Sequence, residues 1–192
     1  MKKRAVFLDR DGNINKDVGY PDSYKKIKIY PYSYEAVRKI NKAGFLAVVI
    51  TNQSGVGRGL IKEKKLNEIH EKMKTAFKKK NACLDHIYYC PHYINSPIPK
   101  YRIDCRCRKP YPGMALRAAE QLDIDLSRSY MIGDKVEDVL LGINIKATPI
   151  LVLTGFGKES RTQLQRMKIE PAFVAKNLLD AVNWILKSEP MD

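Results

Sequence analysis

The stretch AVFLDRDGN, residues 5–13, decides the fold, because a short apolar run ends there in two aspartates two positions apart. Such a run predicts a buried strand. Side chains alternate along a strand, so Asp9 and Asp11 are expected on one side and Arg10 on the other. Two acids this close repel each other unless a cation lies between them, and Mg²⁺ prefers oxygen ligands. The stretch therefore predicts a strand that delivers two carboxylates to a metal site; the alternative is an ordinary strand and an Asp-Gly turn.

The composition predicts one soluble globular domain. The chain has 192 residues, of which 44% are hydrophobic and 29% are charged. That length suits one full hydrophobic core and is short for two independent domains. We therefore expect a single domain over residues 1–187, with a frayed tail at 188–192.

Neither a membrane span nor a signal sequence is predicted. The apolar runs stay well below the roughly 18 residues that cross a bilayer. The basic N-terminus is followed by only four apolar residues before Asp9 interrupts them, which is too short for the core of a signal sequence. A cytoplasmic protein is expected.

The chain is strongly basic, with a formal net charge of +14. Such a charge raises the local concentration of anionic partners, here a phosphorylated metabolite or a nucleic acid. The lysine-rich stretches at 62–65 and 78–80 are typical of a solvated face. Because no motif that reads nucleic acid accompanies them, a small phosphorylated molecule is the favoured partner and nucleic-acid binding is not expected.

Apolar runs alternate with amphipathic segments along the chain. Strands are predicted at 5–8, 45–50, 86–89, 130–132 and 148–153. Helices are predicted at 33–43, 62–79 and 112–122. The strand at 45–50 has no polar alternation, which is typical of a parallel sheet covered on both faces. The alternation predicts an α/β protein with a doubly wound, Rossmann-like parallel sheet.

Polar clusters follow several of these segments. Ligands of doubly wound sheets bind beyond the carboxyl ends of the strands. The clusters expected there are Asp9 with Asp11, Thr51 with Asn52, Arg108 with Lys109, and Asp134. Their convergence predicts a single site at this edge of the sheet.

These side chains supply the parts that phosphoryl transfer needs. Asp9 can attack phosphorus to form an aspartyl-phosphate, while Asp11 protonates the leaving oxygen and later takes a proton from water. The predicted Mg²⁺ ligands are Asp9, Asp134 and the main-chain carbonyl of Asp11. The groups predicted to hold the phosphoryl oxygens are the hydroxyl of Thr51, the amides of residues 51–54 and the ammonium of Lys109.

A cysteine-rich loop at 90–107 predicts a structural zinc site. It offers three sulfurs and one imidazole, which together fill a tetrahedral Zn²⁺ site. The predicted ligands are Cys90, His92, Cys105 and Cys107. Disulfides are rare in the cytoplasm, so a metal is favoured over the alternative of reduced buried thiols. The loop has few apolar groups, so the ion would order it beside Arg108 and Lys109.

One cysteine and two histidines lie outside this set. Cys83 is predicted to be a small core residue rather than a ligand. His70 and His86 are predicted to lie on the surfaces of a helix and a strand.

Six stretches of the sequence resemble a known family. They are FLDRDG (7–12), GYP (19–21), TNQSGVGRG (51–59), YYCPH (88–92), CRCRKPYPGM (105–114) and YMIGDKVED (130–138). The chain resembles, in order, the four motifs of the haloacid dehalogenase superfamily of phosphohydrolases. The matching residues are Asp9 and Asp11 with Gly12, Thr51 with Asn52, Lys109, and Gly133 and Asp134 with Asp138. The six stretches are similar to its D-glycero-D-manno-heptose 1,7-bisphosphate 7-phosphatases and to the related histidinol-phosphatases.

The resemblance implies a role for each matching residue. Asp9 would be the nucleophile and Asp11 the proton donor, and Thr51 and Lys109 would stabilise the phosphoryl group. The implied Mg²⁺ ligands are Asp9, Asp11 and Asp134. The implied substrate contacts are Asp17, Val18, Gly19, Tyr20, Thr51, Asn52, Gln53, Ser54, Arg108, Lys109 and Lys135. Zinc in the cysteine-rich loop is implied as well.

Asn13 and Asp138 are expected to support the site. Asn13 stands where the family usually has Thr, and we expect its amide to support the loop in place of a hydroxyl, at some cost in rate. Asp138 lies one helical turn past Asp134. It is expected to position Lys135 or a metal-bound water rather than to bind Mg²⁺ itself.

The activity implied by the resemblance is Mg²⁺-dependent removal of the 7-phosphate from heptose 1,7-bisphosphate, a step towards lipopolysaccharide precursors. The alternatives are a histidinol-phosphate phosphatase and, less favoured, a polynucleotide 3'-phosphatase. Arg58, Arg108 and Lys135 favour a bisphosphate, because a second phosphate needs its own cations. No large cap domain is expected, so the loop at 15–31 and the zinc loop would leave the site rather open, as suits a monomer.

Overall fold

A parallel sheet of six strands organises the protein in a computed structural model that describes residues 2–188. The strands are β1 (Ala5–Leu8), β2 (Leu46–Asn52), β3 (His86–Cys90), β4 (Tyr130–Gly133), β5 (Thr148–Val152) and β6 (Phe173–Ala175). Their order across the sheet is β3-β2-β1-β4-β5-β6, and each neighbouring pair is parallel. The chain adds β2 and β3 on one side of β1 and then returns to add β4, β5 and β6 on the other side. The predicted doubly wound sheet is therefore confirmed.

Helices cover both faces of this sheet. They are α1 (Pro31–Lys42), α2 (Ser54–Gly57), α3 (Glu63–Lys78), α4 (Gly113–Leu122), α5 (Val136–Asn144), α6 (Gly157–Arg166) and α7 (Leu178–Ser188). The buried apolar residues of α1, α3 and α7 share one core with Val6 and Leu8, whereas those of α4, with Leu141 of α5, share a second core with Ala5 and Phe7. Successive side chains of β1 thus enter opposite layers, which explains why its apolar run has no polar interruption.

Several elements were not predicted, most of them in the C-terminal part of the chain. They are α2, α5, α6, β6 and α7. The sequence of α6 is mostly polar, and its only large buried apolar side chain is Leu164, so its helical period is weak. The strand β6 has three residues, fewer than a periodic pattern needs. The strand β2 runs further than predicted because Thr51 and Asn52 still pair with β3.

The prediction for Cys83 is wrong. The residue is exposed, in the connection between α3 and β3, where its main-chain N–H donates to Asn41 Oδ1 at 2.8 Å. Its neighbours Ala82 and Leu84 are buried, and in an extended segment the residue between two buried ones points outward. The exposed position of His86 on β3 is as predicted.

The carboxyl ends of the strands meet at one edge of the sheet, and loops surround that edge, as expected for a chain without a large cap domain. No helix within residues 2–188 combines the length and apolar character that crossing a membrane requires. The frayed tail predicted at 188–192 lies outside the described residues, apart from Ser188 at the end of α7.

The central position of β1 yields a stability prediction. Leu8 is fully buried in the larger core, so Leu8→Ala should lower the free energy of unfolding by about 3 kcal/mol through lost apolar contacts and the cavity left behind. Leu116→Ala is the matched control, because Leu116 is 51% exposed on α4, and its effect should stay within about 0.5 kcal/mol. Urea unfolding followed by circular dichroism measures both; equal effects would contradict the central placement of β1.

Candidate active site

A cleft of about 410 Å³ opens at the carboxyl edge of the sheet. The predicted site residues that line it are Asp9, Asp11, Asp17, Gly19, Tyr20, Thr51, Asn52, Gln53, Ser54, Arg108, Lys109 and Lys135. Asp134 lies beneath these residues and is fully buried, whereas Val18 is 39% exposed and does not line the cleft. The structure thus gathers most of the predicted set, from the ends of three strands and from two loops, into one place.

Asp9 and Asp134 reach the cleft because they directly follow the neighbouring strands β1 and β4. The N–H of Asp9 donates to the carbonyl of Ile132 at 2.9 Å, which extends the pairing of these strands by one step. Gly12 has a φ of 88°, and a side chain at this position would overlap the carboxylate of Asp134. A glycine is therefore required where the loop after β1 turns over Asp134.

Asn13 fastens the same turn. Its side-chain amide donates to the main-chain carbonyls of Asp9 and Ile132, each at 3.1 Å, and the residue is fully buried. The amide thus ties the end of β1 to the end of β4, which is the loop-supporting role expected for it.

Lys109 lies between two carboxylates at the floor of the cleft. Its Nζ is 2.6 Å from Asp9 Oδ1 and 2.6 Å from Asp138 Oδ1, and it also donates to the carbonyl of Ile50 at 3.0 Å. Burial alone would lower the pKa of Lys109, but the carboxylates of Asp138 and Asp9 raise it above its usual range. Lys109 is therefore a permanent buried cation.

Asn52 holds the main chain at Lys109. Its Oδ1 accepts from the Lys109 N–H at 3.0 Å, and its Nδ2 donates to the Lys109 carbonyl at 3.2 Å. The side chain of Asn52, at the end of β2, thus makes the same pair of hydrogen bonds with the main chain of Lys109 that a neighbouring strand would make. This explains how a lysine from a loop comes to lie against Asp9.

Asp9, Asp134 and Asp138 form a buried acid cluster whose ligand oxygens all lie within 4.8 Å of one another. Burial raises the pKa of Asp9 to about 6, with a further rise from the charge of Asp138 that partly offsets the opposing effect of Lys109. Burial and the charge of Asp9 raise the pKa of Asp134 to about 8. These carboxylates need more positive charge than Lys109 supplies.

The oxygens of this cluster fit Mg²⁺. Oδ2 of Asp134 accepts a hydrogen bond from the Phe156 N–H at 2.8 Å, but Oδ1 is buried without a hydrogen-bond partner. A buried carboxylate oxygen that lacks a hydrogen-bond partner and lies beside Asp9 is a suitable ligand for a hard divalent cation. Asp138 instead contacts Lys109, and its Oδ2 accepts from the Lys135 N–H at 3.0 Å, so it does position Lys135 as expected.

Arg10 was predicted to point away from Asp11, and this is wrong. Strand β1 ends at Leu8, so the alternation of a strand does not extend to Arg10 and Asp11. Arg10 is fully buried, and its Nη2 lies 2.7 Å from Asp11 Oδ2. Asp11 Oδ2 also accepts from Gln53 Nε2 at 2.8 Å, and its Oδ1 accepts from Asn15 Nδ2 at 2.9 Å.

The pKa of Asp11 is lowered as a result. Burial alone would raise it, but the charge of Arg10 and the hydrogen bonds from Arg10, Asn15 and Gln53 outweigh that effect. The carboxylate of Asp11 is saturated by donors on the protein side. The predicted contribution of Asp11 to a metal site is its main-chain carbonyl, which stays a prediction.

His70 was predicted to lie on a helix surface, and this is wrong too. It is 4% exposed on α3, and its Nε2 lies 3.1 Å from Arg10 Nη1. Burial, followed by the charge of Arg10, lowers the pKa of His70 to about 3. Helical spacing could have revealed this position, because His70 lies one turn from Leu66 and from Met73, two apolar residues that lie in the core.

The rim of the cleft is formed by loops. The ring of Tyr20 packs on Gly55, where a Cβ atom would come within 2.5 Å of it. The Asp17 carboxylate lies 3.5 Å from Lys135 Nζ, which in turn lies 4.9 Å from the ring centroid of Phe156. These contacts hold the loop after β1 across the site without closing it.

Further residues line the cleft besides the predicted set. They are Arg58, Glu137, Asp138 and Phe156. The guanidinium of Arg58 stacks on the ring of Tyr93, 3.8 Å from its centroid. Phe156 and Glu137 were missed, because a lone aromatic or acid after a strand carries no pattern of its own.

The predicted zinc ligands form a second cluster of side chains. Cys107 Sγ lies 3.1 Å from Cys90 Sγ and 3.1 Å from Cys105 Sγ, and 3.3 Å from His92 Nδ1. These sulfur separations are far longer than the ~2.05 Å of a disulfide bond, so the cysteines are free thiols. Three sulfurs and one ring nitrogen that converge in this way fit a closed tetrahedral Zn²⁺ site.

The sequence matches known proteins over most of its length. A family model described as HAD-hydrolase-like matches residues 106–181. The chain is 42% identical over 152 residues to the D-glycero-β-D-manno-heptose-1,7-bisphosphate 7-phosphatase of Escherichia coli K12, covering 79% of this chain and 80% of that protein. It is 43% identical over 154 residues to the protein of the same name from Pasteurella multocida, covering 80% and 83%.

Solved structures match the fold as well. The D,D-heptose 1,7-bisphosphate phosphatase from B. bronchiseptica, complexed with magnesium and phosphate, superposes with a TM-score of 0.85 at 31% identity, covering 97% of this chain and 99% of that one. The D,D-heptose 1,7-bisphosphate phosphatase from Burkholderia thailandensis gives a TM-score of 0.71 at 30% identity, covering 97% and 100%.

Sheet order, acid cluster and sequence match together define a hydrolase of the haloacid dehalogenase type. The extent and identity of the matches allow a narrower statement. The chain belongs to the heptose 1,7-bisphosphate phosphatase family of phosphoric monoester hydrolases.

The buried His70 yields a pH prediction. In the unfolded chain its imidazole takes up a proton as the pH falls through 6.5, whereas in the folded protein it stays neutral down to about 3. Stability from this residue is therefore complete above pH 6.5 and is lost as the pH falls towards 3. The free energy of unfolding of the wild type should fall by about 1 kcal/mol per pH unit more steeply than that of His70→Gln between pH 6 and 4.5.

Chemical denaturation at a series of pH values gives both curves. His86→Gln serves as the control, because His86 is exposed on β3 and burial lowers its pKa less than that of His70, so its curve should stay much closer to that of the wild type. Parallel curves for the wild type and His70→Gln would contradict a neutral buried His70.

Proposed function

We propose that this enzyme removes the 7-phosphate from D-glycero-D-manno-heptose 1,7-bisphosphate. The observation that carries the proposal is the acid cluster with Lys109 at the floor of a cleft whose rim holds several cations. Asp9 lies at the bottom, where it can meet the phosphate that is cleaved. Arg58, Arg108 and Lys135 lie along the same cleft, where they can meet a second phosphate. The names of the relatives support the same substrate.

In the proposed reaction, Asp9 Oδ attacks the phosphorus and the bond from phosphorus to the sugar oxygen breaks. Asp11 gives a proton to the departing sugar oxygen. Water then attacks the aspartyl-phosphate and loses a proton to Asp11, which restores both residues and releases phosphate. Thr51 and Lys109 bind the equatorial oxygens of the phosphoryl group, where negative charge accumulates.

Asp9 and Asp134, with the main-chain carbonyl of Asp11, would hold Mg²⁺. When bound, the ion supplies positive charge that neutralises the acids and the phosphoryl oxygens. The magnesium in the related B. bronchiseptica structure supports this assignment. The raised pKa values of Asp9 and Asp134 indicate that these acids need positive charge, which supports the same assignment.

Asp11 must gain a proton before it can donate one. The lowered pKa of its carboxyl group means that it is ionised in the ligand-free protein. A bound phosphate brings further negative charge close to Asp11, and a nearby like charge raises the pKa of a carboxyl group. We infer that substrate binding, and not the resting protein, makes Asp11 a proton donor.

We further propose that Cys90, His92, Cys105 and Cys107 bind a structural Zn²⁺ ion. The four ligand positions are filled by protein, so no position is open for catalysis. The loop runs directly into Arg108 and Lys109, so ordering it would fix both cations at the cleft. We also propose one cytoplasmic domain that works as a monomer, because the cleft is complete within a single chain.

The substrate assignment is tested by comparing kcat/KM for both anomers of heptose 1,7-bisphosphate with histidinol phosphate and fructose 1,6-bisphosphate. The best heptose anomer should exceed histidinol phosphate by roughly 100-fold, since losing charged hydrogen bonds to a second phosphate costs about 3 kcal/mol.

Asp9→Asn is the control, because it keeps the shape of the side chain but removes the nucleophile, and it should abolish turnover of every substrate. A preference for histidinol phosphate would overturn the assignment. Turnover of a 3'-phosphorylated oligonucleotide that collapses with added salt would indicate a polynucleotide substrate instead.

The zinc assignment is tested by elemental analysis of purified protein. The wild type should carry one zinc ion per chain, and Cys107→Ser should lose it, because serine does not replace a thiolate ligand. Cys83→Ser is the matched control: this cysteine is exposed and outside the cluster, so the zinc content should not change. Full zinc content in Cys107→Ser, or none in the wild type, would contradict the assignment.

A further inference from the structure

His70 and Arg10 form a buried contact that the proposed reaction does not use. Nε2 of His70 lies 3.1 Å from Nη1 of Arg10, and both residues are buried. The ring of His70 also lies against that of Tyr89, with centroids 5.4 Å apart. A histidine and an arginine rarely meet in a protein interior, because burial penalises both charges.

The direction of this hydrogen bond follows from the chemistry of the two groups. A guanidinium has donors and no acceptor and does not lose its proton. Nε2 of His70 must therefore accept, and the proton of the neutral ring must reside on Nδ1. The low pKa of His70 agrees with this assignment.

The other edge of the Arg10 guanidinium binds the proton-transfer residue. Nε of Arg10 lies 3.1 Å from Asp11 Oδ1, and Nη2 lies 2.7 Å from Asp11 Oδ2. Nη2 also donates to Gln53 Oε1 at 3.1 Å. Because a guanidinium is rigid and planar, an acceptor that fixes Nη1 also fixes the direction in which Nε and Nη2 point.

We propose that His70 is a positioning residue for catalysis, because its Nε2 accepts a hydrogen bond that fixes the orientation of the Arg10 guanidinium. Arg10 in turn fixes the Asp11 carboxyl group in the orientation that transfers a proton to the leaving oxygen. This inference rests on the proposed role of Asp11, but not on the identity of the sugar. His70 itself does not touch the substrate, because it lies behind Arg10 on α3 and does not line the cleft.

A neutral acceptor is required at this place. Lysine or a protonated histidine would repel Arg10, and an apolar residue would leave Nη1 without a partner in a buried position. The guanidinium would then turn towards other acceptors and release Asp11. Small displacements of a catalytic group are enough to slow a reaction, because proton transfer depends on alignment with the leaving oxygen.

The test compares a substrate whose leaving group needs a proton from Asp11 with one whose leaving group does not. An alkyl phosphate leaves as a strongly basic alkoxide, so its departure depends on Asp11, whereas p-nitrophenyl phosphate leaves as a weakly basic phenolate. His70→Phe keeps a ring but removes the acceptor. It should lower kcat/KM for the alkyl phosphate that the wild type hydrolyses best by roughly 30-fold, and kcat/KM for p-nitrophenyl phosphate by less than about threefold. The comparison uses kcat/KM because this constant reports the steps up to departure of the leaving group, whereas both substrates need Asp11 in the later hydrolysis of the aspartyl-phosphate.

Two variants complete the design. His70→Gln places an oxygen acceptor near the position of Nε2, and it should return kcat/KM for the alkyl phosphate to within about threefold of the wild type. Phe77→Leu disturbs the same helix at another buried position, without removing the acceptor of Arg10, so any loss should be equal for both substrates. If His70→Phe does not fold, His70→Leu takes its place.

The ratio of the kcat/KM values for the alkyl phosphate and for p-nitrophenyl phosphate does not depend on how much of a sample is folded, so a purely structural role of His70 would leave this ratio unchanged. An unchanged ratio in His70→Phe, or a loss in His70→Gln as large as that in His70→Phe, would overturn the inference. Asp11→Asn is the reference and should change the ratio most. If Asp11→Asn leaves the ratio unchanged, the role proposed for Asp11 fails, whereas a low rate with heptose bisphosphate alone refutes only that substrate.

Discussion

The ammonium group of Lys109, held between the carboxylates of Asp9 and Asp138, is the interaction on which the rest of the site depends. Three acids converge where β1 and β4 end, and burying such a cluster without positive charge would be strongly unfavourable. Lys109 comes from a loop, so its main chain must be held as firmly as that of a strand. The two hydrogen bonds between the side chain of Asn52 and the main chain of Lys109 meet that requirement. The loop that contains the cluster of three cysteines and one histidine leads into Lys109.

The parts of the site that the sequence predicted are those fixed by strand ends. Asp9, Thr51 and Asp134 follow apolar runs, and in a parallel sheet the ends of neighbouring strands meet whatever the loops do. The cysteine and histidine pairs were recognisable for a similar reason, since short spacings of this kind are typical of residues that bind zinc. These predictions needed only local patterns and one topological rule.

The errors have a common physical cause. Arg10 was placed by strand alternation, but β1 ends before it, and an element boundary is a property of tertiary pairing that a short run does not reveal. His70 was placed on the surface because histidine is polar, whereas its partner Arg10 is distant in the sequence and makes its burial tolerable. The polar helix α6 was missed because Leu164 is its only large buried apolar side chain, which is too few to give a helical period.

The order of the strands also affects how the protein is made. Strand β1, which Asp9 directly follows, is synthesised before its two neighbours, and β4 is made long after β2. The hydrogen bond from Asn13 to Ile132, which links the ends of β1 and β4, joins residues 119 positions apart. During translation, β1 therefore waits with one open edge until most of the chain has left the ribosome. An open strand edge invites pairing with other chains, so a truncated product that lacks β4 would be prone to aggregate rather than merely inactive. The central location that gives Asp9 a rigid support thus also leaves one edge of β1 unpaired until β4 has been made.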